Sequence, residues 1–164
     1  MTKIGILSDT HGLLDQRVKE HFKNVDEIWH AGDIGSMEVL QQLREFKPTR
    51  AVFGNCDSGD VRWSLTEFYS FKVEEVNVLL THIGGYPGRY NPLAYQKILQ
   101  TRPQLFVCGH SHILKVQYDE SLNMLTCNPG AAGKYGIHTV QTLLRLSIDG
   151  HKIQDLEVIE LDRK

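Results

Sequence analysis

Five short apolar runs in this chain each stop at residues of the kind that bind metal ions. Ile4-Gly5-Ile6-Leu7 leads into Asp9-Thr10-His11, and Glu27-Ile28-Trp29-His30 leads into Gly32-Asp33. Ala51-Val52-Phe53 leads into Gly54-Asn55-Cys56-Asp57, Val78-Leu79-Leu80 into Thr81-His82, and Leu105-Phe106-Val107-Cys108 into Gly109-His110-Ser111-His112. Short β-rich apolar runs that end in Gly and polar residues read as strands buried on both faces of an α/β sheet. Ligands in such sheets bind beyond the carboxyl ends of the strands. Two Asp, one Asn and four His therefore converge on one rim. One metal needs three or four ligands of this kind, and seven point to two.

Each piece alone is weak, because a single Gly-Asp or Thr-His after a strand is usually a solvated turn. The pairs Asp9/His11 and His110/His112 are stronger, since an extended backbone sends residues i and i+2 the same way. The metal reading rests on all five pieces lying at strand ends in the same direction along a sheet.

The chain of 164 residues is expected to form one domain over 1–164, long enough to bury a core. A net charge of −2, with basic residues scattered, gives no electrostatic footprint for nucleic acid or an anionic membrane surface. No apolar run approaches 18 residues, and Met1-Thr2-Lys3 opens directly into a strand rather than a signal segment. Three cysteines cannot all pair and fit no zinc-ribbon spacing. Reduced, buried thiols at Cys108 and Cys127 imply a cytoplasmic protein.

The first half reads βαβαβ: strand 3–8, helix 14–23, strand 26–31, helix 36–46 capped by Ser36, and strand 49–53. Alternation of this kind predicts parallel pairing with right-handed crossovers. The second half is rich in hairpins. Strands 67–73 and 76–81 join at Glu74-Glu75, and a helix starts at Asn91-Pro92, with Asn as cap and Pro in the first turn. Strands follow at 104–109, 113–118 and 122–127, then 139–148 and 151–160 around the turn Asp149-Gly150.

Asp-x-His, Gly-Asp, Gly-Asn-x-Asp, Thr-His and Gly-His-x-His, in that order over residues 3–133, resemble the calcineurin-like metallophosphoesterase superfamily. The short length, Gly-Asn-Cys-Asp and Asn128-Pro129-Gly130 resemble its small bacterial and archaeal phosphodiesterase branch, to which the retromer subunit Vps29, largely a scaffold, also belongs. The resemblance implies a four-layer α/β/β/α sandwich of two mixed sheets. It implies that Asp9, His11 and His112 hold one divalent ion and Asn55, His82 and His110 another, with Asp33 bridging. The expected activity is hydrolysis of a small phosphodiester by a hydroxide between the ions. Manganese stands first as the metal; iron, nickel, cobalt or zinc suit the same donors. The alternatives are a non-catalytic scaffold and a phosphomonoesterase or nucleotidase. A homo-oligomer is compatible with the sequence, and no nucleic-acid or membrane partner is expected.

Cys56 departs from the superfamily's frequent Gly-Asn-His-Asp. As a candidate catalytic residue it is a weak acid that cannot carry an imidazolium charge; the simpler reading is a small, inert neighbour of the site. Asp57, the other catalytic candidate, either orients a neighbour or caps the following loop, the cap being the preferred reading. Asn55 and Arg89 are the candidate substrate contacts, although a solvated surface arginine is the commoner fate. His30 is either a hydrogen-bonding neighbour of a ligand or a satisfied core histidine. Asn128-Pro129-Gly130 is expected to support the metal loops through backbone geometry, and His21, His138 and His151 are expected at the surface.

Overall fold

The computed structural model describes residues 1–138 and 140–162. The elements run β1 (Thr2–Leu7), α1 (Arg17–His21), β2 (Glu27–His30), α2 (Met37–Phe46), β3 (Thr49–Ala51), α3 (Gly59–Ser64), β4 (Phe68–Val73), β5 (Val76–Thr81), α4 (Pro92–Thr101), β6 (Leu105–Val107), β7 (Leu114–Asp119), β8 (Met124–Pro129), β9 (Val140–Asp149) and β10 (Lys152–Asp162). They build two five-stranded sheets, ordered β10-β9-β1-β2-β3 and β4-β5-β6-β8-β7. Both are mixed. β1, β2 and β3 pair in parallel while β9 runs antiparallel to β1, and β5, β6 and β8 are parallel between antiparallel β4 and β7.

Strand alternation explains the layering. Ile4, Ile6 and Trp29 of one sheet pack against Val78, Leu80, Leu105 and Val107 of the other. The opposite face of the first sheet, with Leu7 and Ile28, packs on Val18, Phe22, Leu40 and Leu43 around α1 and α2. Leu79 and Phe106 pack under Ala94 and Ile98 of α4. This is the expected four-layer α/β/β/α arrangement. Burying each large apolar side chain contributes roughly 1.5–3 kcal/mol.

The caps follow the sequence. Ser36 Oγ accepts from Val39 N–H at 3.3 Å, and Asn91 Oδ1 accepts from Leu93 and Ala94 N–H at 3.0 and 3.2 Å. The first helix is shorter than expected. Leu14, Phe22 and Val25 still reach the core, but from turns on either side of α1. The chain has to leave the helix early so that Asp26 N–H can reach Lys3 O at 2.7 Å and start β2 beside β1. β3 also ends early: Val52 N–H still donates to His30 O at 3.2 Å, but Val52 bridges to Thr66 and Phe53 N–H donates to Thr66 O. Helix α3 was not anticipated: Val61 is its one buried residue, so it carries no apolar period. Thr139, expected to begin the strand 139–148, lies outside the described residues. No helix among those described is long and apolar enough to cross a membrane.

Gly5 lets α1 approach β1. A Cβ there would lie 2.8 Å from three carbons of the Phe22 ring. Gly5→Ala should therefore destabilise the protein by about 1–3 kcal/mol through overpacking. Phe22→Leu in the same chain should recover part of that loss. Denaturant unfolding of both single variants and the double variant measures the coupling.

Candidate metal centre

The parallel pairing of β1 with β2 does not stop where the strands do. Ala31 N–H donates to Leu7 O, Asp9 N–H to Gly32 O, His11 N–H to Asp33 O and Gly12 N–H to Ile34 O, at 2.8–3.0 Å. The second sheet is joined to this ladder. Gly109 N–H donates to His82 O, while Ala132 and Gly133 N–H donate to Ser8 and Asp9 O.

Within these loops Asp9, His11, Asp33, His110 and His112 all adopt left-handed φ, between 48° and 75°. Such values cost a non-glycine residue on the order of 1 kcal/mol, and Asp, Asn and His tolerate them best. Extended backbone is therefore not what aligns the two i, i+2 pairs. Left-handed turns at both members of each pair turn their side chains inward instead.

The side chains meet at the rim between the sheets. Asp9, His11 and His112 form one group of mutually close donor atoms, and Asp33, His82 and His110 another. His112 Nε2 lies 3.3 Å from Asp9 Oδ1, and His11 Nε2 lies 3.6 Å from the same oxygen. His82 Nε2 is 3.1 Å from Asp33 Oδ2 and 3.8 Å from Asp9 Oδ1. Asp33 Oδ2 is also 3.8 Å from His11 Nε2, so this carboxylate faces both groups. Asn55 joins the second group through Oδ1, 3.0 Å from His110 Nδ1.

Each carboxylate presents one oxygen and anchors the other. Asp9 Oδ2 accepts from Ser8 Oγ at 2.7 Å and His110 N–H at 3.2 Å. Asp33 Oδ1 accepts from Cys56 N–H at 2.8 Å. His82 donates Nδ1–H to Ala31 O at 2.7 Å, which turns Nε2 to the centre. Asp9 Oδ1, His11 Nε2 and His82 Nε2 are buried and have no hydrogen-bond partner among the described residues. Unpartnered buried polar atoms are costly, and a cation among them satisfies all three. The donor set of imidazole, carboxylate and amide oxygen fits divalent metal ions.

Electrostatics agree. Burial pushes the Asp9 and Asp33 carboxyls up, but the neighbouring histidines outweigh it and hold both below the usual carboxylate range. The Asp9 carboxylate raises His11. Burial lowers His82, yet Asp33 and Asp9 outweigh it and the net shift is upward. Protons thus compete with metal for these rings, and metal uptake weakens as pH falls.

The surrounding residues hold the loops. His30 is buried; its Nδ1 accepts from Gly32 N–H and its Nε2–H donates to Thr10 Oγ1, both at 3.0 Å. Thr10 in turn donates to Ile34 O. His30 is thus a satisfied core histidine that also ties the Asp9 loop to the Asp33 loop. Asp57 does not cap the loop that follows it. Its buried carboxylate reaches back to accept from Ile34, Gly35 and Gly54 N–H at 2.8–3.2 Å, which makes it a positioning residue for Asp33. Asn128 acts through its side chain as well as its backbone, donating to Gly109 O and Ser111 Oγ. A Cβ at Gly54 would overlap Asp33 Oδ1, and one at Gly109 would overlap Ser8 Oγ.

Two neighbours escaped the sequence reading. Tyr135 lies 4.8 Å from the His11 ring, and the His138 ring meets His112 edge-on at 5.4 Å. His138 is half-buried rather than a surface residue, with Nε2 bonded to Gly133 O at 2.7 Å. Neither follows an apolar run, so no motif marked them. His21 is half-buried as well, while His151 is exposed. Cys56 is exposed, with its sulfur close to donor atoms of His11 and Asp33. Burial and then the Asp33 charge raise its thiol, which stays protonated near neutrality. Cys108 and Cys127 are buried thiols pushed up to about 12 by burial. Arg89 is exposed and lines a cavity beside His110.

Two mixed sheets thus carry a cluster of candidate divalent-metal ligands on their shared rim. Residues 2–151 match the calcineurin-like phosphoesterase superfamily domain, and the chain belongs to that family. A probable metallophosphoesterase from Methanothermobacter thermautotrophicus is 31% identical, over 95% of this chain and 91% of the relative. The fold is similar to that of Entamoeba histolytica Vps29 complexed with zinc (TM-score 0.75, 16% identity, 99% of each chain). It is also similar to that of a novel archaeal phosphodiesterase (TM-score 0.74, 23% identity, 97% of this chain and 99% of the other).

His30 sets a pH dependence that does not involve metal. Burial lowers its pKa from 6.5 to about 4. The unfolded chain therefore binds a proton that the folded chain refuses, and the stability due to neutral His30 is complete above pH 6.5 and lost as pH falls towards 4. His30→Asn keeps the acceptor for Gly32 N–H but does not titrate. In metal-free protein, the stability of wild type relative to His30→Asn should fall by on the order of 3 kcal/mol between pH 7 and pH 4. Denaturant unfolding at a series of pH values measures it.

Proposed function

We propose that this protein is a dimetal phosphodiesterase acting on a small substrate. The observation that carries the reading is the convergence of buried Asp9 Oδ1, His11 Nε2 and His82 Nε2, without hydrogen-bond partners among the described residues, beside Asp33 Oδ2. Asp9, His11 and His112 would hold one ion and Asn55, His82 and His110 the other, with Asp33 Oδ2 facing both. Manganese suits these donors, as do iron, nickel, cobalt and zinc. When bound, such ions polarise phosphoryl oxygens and acidify water.

The chain's own residues supply orientation. Ser8 and His110 N–H fix Asp9, Cys56 N–H fixes Asp33, and Ala31 O fixes the His82 tautomer. Two dications against two aspartates leave a positive centre suited to a diester monoanion. Cys56, protonated and only weakly acidic, gives a departing alkoxide little help, so the site favours leaving groups that need none. The name of the archaeal structural neighbour supports the same activity. The second reading, a scaffold, rests on the likeness to Vps29.

The test is a manganese-loaded preparation assayed on bis(4-nitrophenyl) phosphate and 4-nitrophenyl phosphate. The diester should turn over faster, and Asp33→Ala should lose about 100-fold or more in rate together with metal content. No hydrolysis by fully loaded protein would favour the scaffold, and faster monoester hydrolysis a phosphomonoesterase or nucleotidase.

A second expectation concerns Cys56. Rates on a series of aryl and alkyl diesters should fall steeply with leaving-group pKa. Cys56→His should flatten that slope by accelerating the poor leaving groups, within the ~10²–10⁴-fold range of general acid catalysis. Equal slopes at equal metal content would show that this position does not govern departure.

A further inference from the structure

The metal rim opens into a second space. A cavity of about 420 Å³ lies between the loop that follows β5 and the edge strand β7, and it starts at Gly109 and His110. Its wall includes Ile83, Tyr86, Tyr90 and Ile113, with Arg89 and Lys115 as its charged residues and no carboxylate. Ile83, Tyr86 and Ile113 stand exposed, offering apolar surface to a ligand.

This wall is built in advance. Asn91 N–H closes the loop on Gly84 O at 3.0 Å, and Arg89 N–H closes it on Tyr86 O at 2.8 Å. A Cβ at Gly85 would overlap Arg89 O, and one at Gly84 would press on Phe106 and Cys108. Tyr90 is held by its hydroxyl, which donates to Asp119 at 2.7 Å, and by the stacked ring of Tyr95. Lys115 Nζ sits 4.4 Å from the centre of the Tyr86 ring. Neither Arg89 nor Lys115 forms an ion pair with a carboxylate among the described residues. Pockets of this kind, apolar with a few convergent polar groups, are where small ligands are oriented.

Resting on the phosphodiesterase reading, we propose that this cavity is the specificity pocket of the site, receiving a heteroaromatic arm of nucleoside size from the diester. The phosphate sits at the metal rim, the ring lies on the Tyr86 and Ile113 wall, and Arg89 and Lys115 make the entrance attractive to an anion. A simple alkyl arm fills little of this space.

The test compares thymidine 5′-phosphate with 2-deoxyribose 5-phosphate, which carries an anomeric hydroxyl in place of the base. Both are used as competitive inhibitors of methyl 4-nitrophenyl phosphate hydrolysis by manganese-loaded protein. Both are also used in equilibrium dialysis with loaded and metal-free protein. The base should tighten binding about tenfold or more, the scale of one base stacked on an aromatic side chain. Tyr86→Ala and Ile113→Ala, both at exposed positions, should bring the ratio close to one. Equal affinities in wild type, or a ratio that survives both substitutions, would overturn the pocket. If loaded protein hydrolyses no diester, the phosphodiesterase reading fails, and dialysis alone still decides whether the cavity binds a base.

Discussion

Everything at the rim depends on backbone pairing that outlasts the strands. Because Asp9 and His11 N–H continue the β1–β2 ladder onto the Gly32 and Asp33 carbonyls, the two aspartates sit on loops clamped to each other. That clamp supports the left-handed conformations of Asp9, His11 and Asp33. Without it, strain of this size would relax and the side chains would turn outward. The candidate ligands are thus held by main-chain geometry first and by side-chain contacts second.

Division of labour within each carboxylate follows. One oxygen is occupied by a protein donor, and the other is left facing imidazoles at 3.1–3.8 Å. Glycines make this crowding feasible. Gly54 and Gly109 lie where any side chain would displace Asp33 or the Ser8–Asp9 pair. His30 and Asp57 then stitch the loops from behind, through backbone N–H groups and Thr10.

Much of this was legible in the sequence, because apolar runs ending in Asp or His mark strand ends whatever the tertiary detail. The hairpin at Glu74-Glu75 and the capped starts of α2 and α4 were legible for the same local reason. What stayed hidden depends on contacts distant in the chain. The Asp9/His11 pair looks extended until Gly32 and Asp33 are seen beside it. Asp57 reads as a forward cap until Gly35 is placed behind it. Tyr135 and His138 carry no motif, and only the return of β9 beside β1 brings their segment to the rim.

The link from Ala132 and Gly133 to Ser8 and Asp9 has a consequence for how the chain acquires its fold. It joins residues far apart in the sequence, and it lies directly behind Asp9. Contacts so far apart are closed late, because the entropy of a long loop is lost before any contact repays it. The rim is therefore among the last parts to assemble, and a nascent chain not yet extended to Ala132 has the candidate ligands but not this link. An ion that binds only the assembled rim draws the whole folding equilibrium towards the native state. Such an ion would couple metal supply to folding yield.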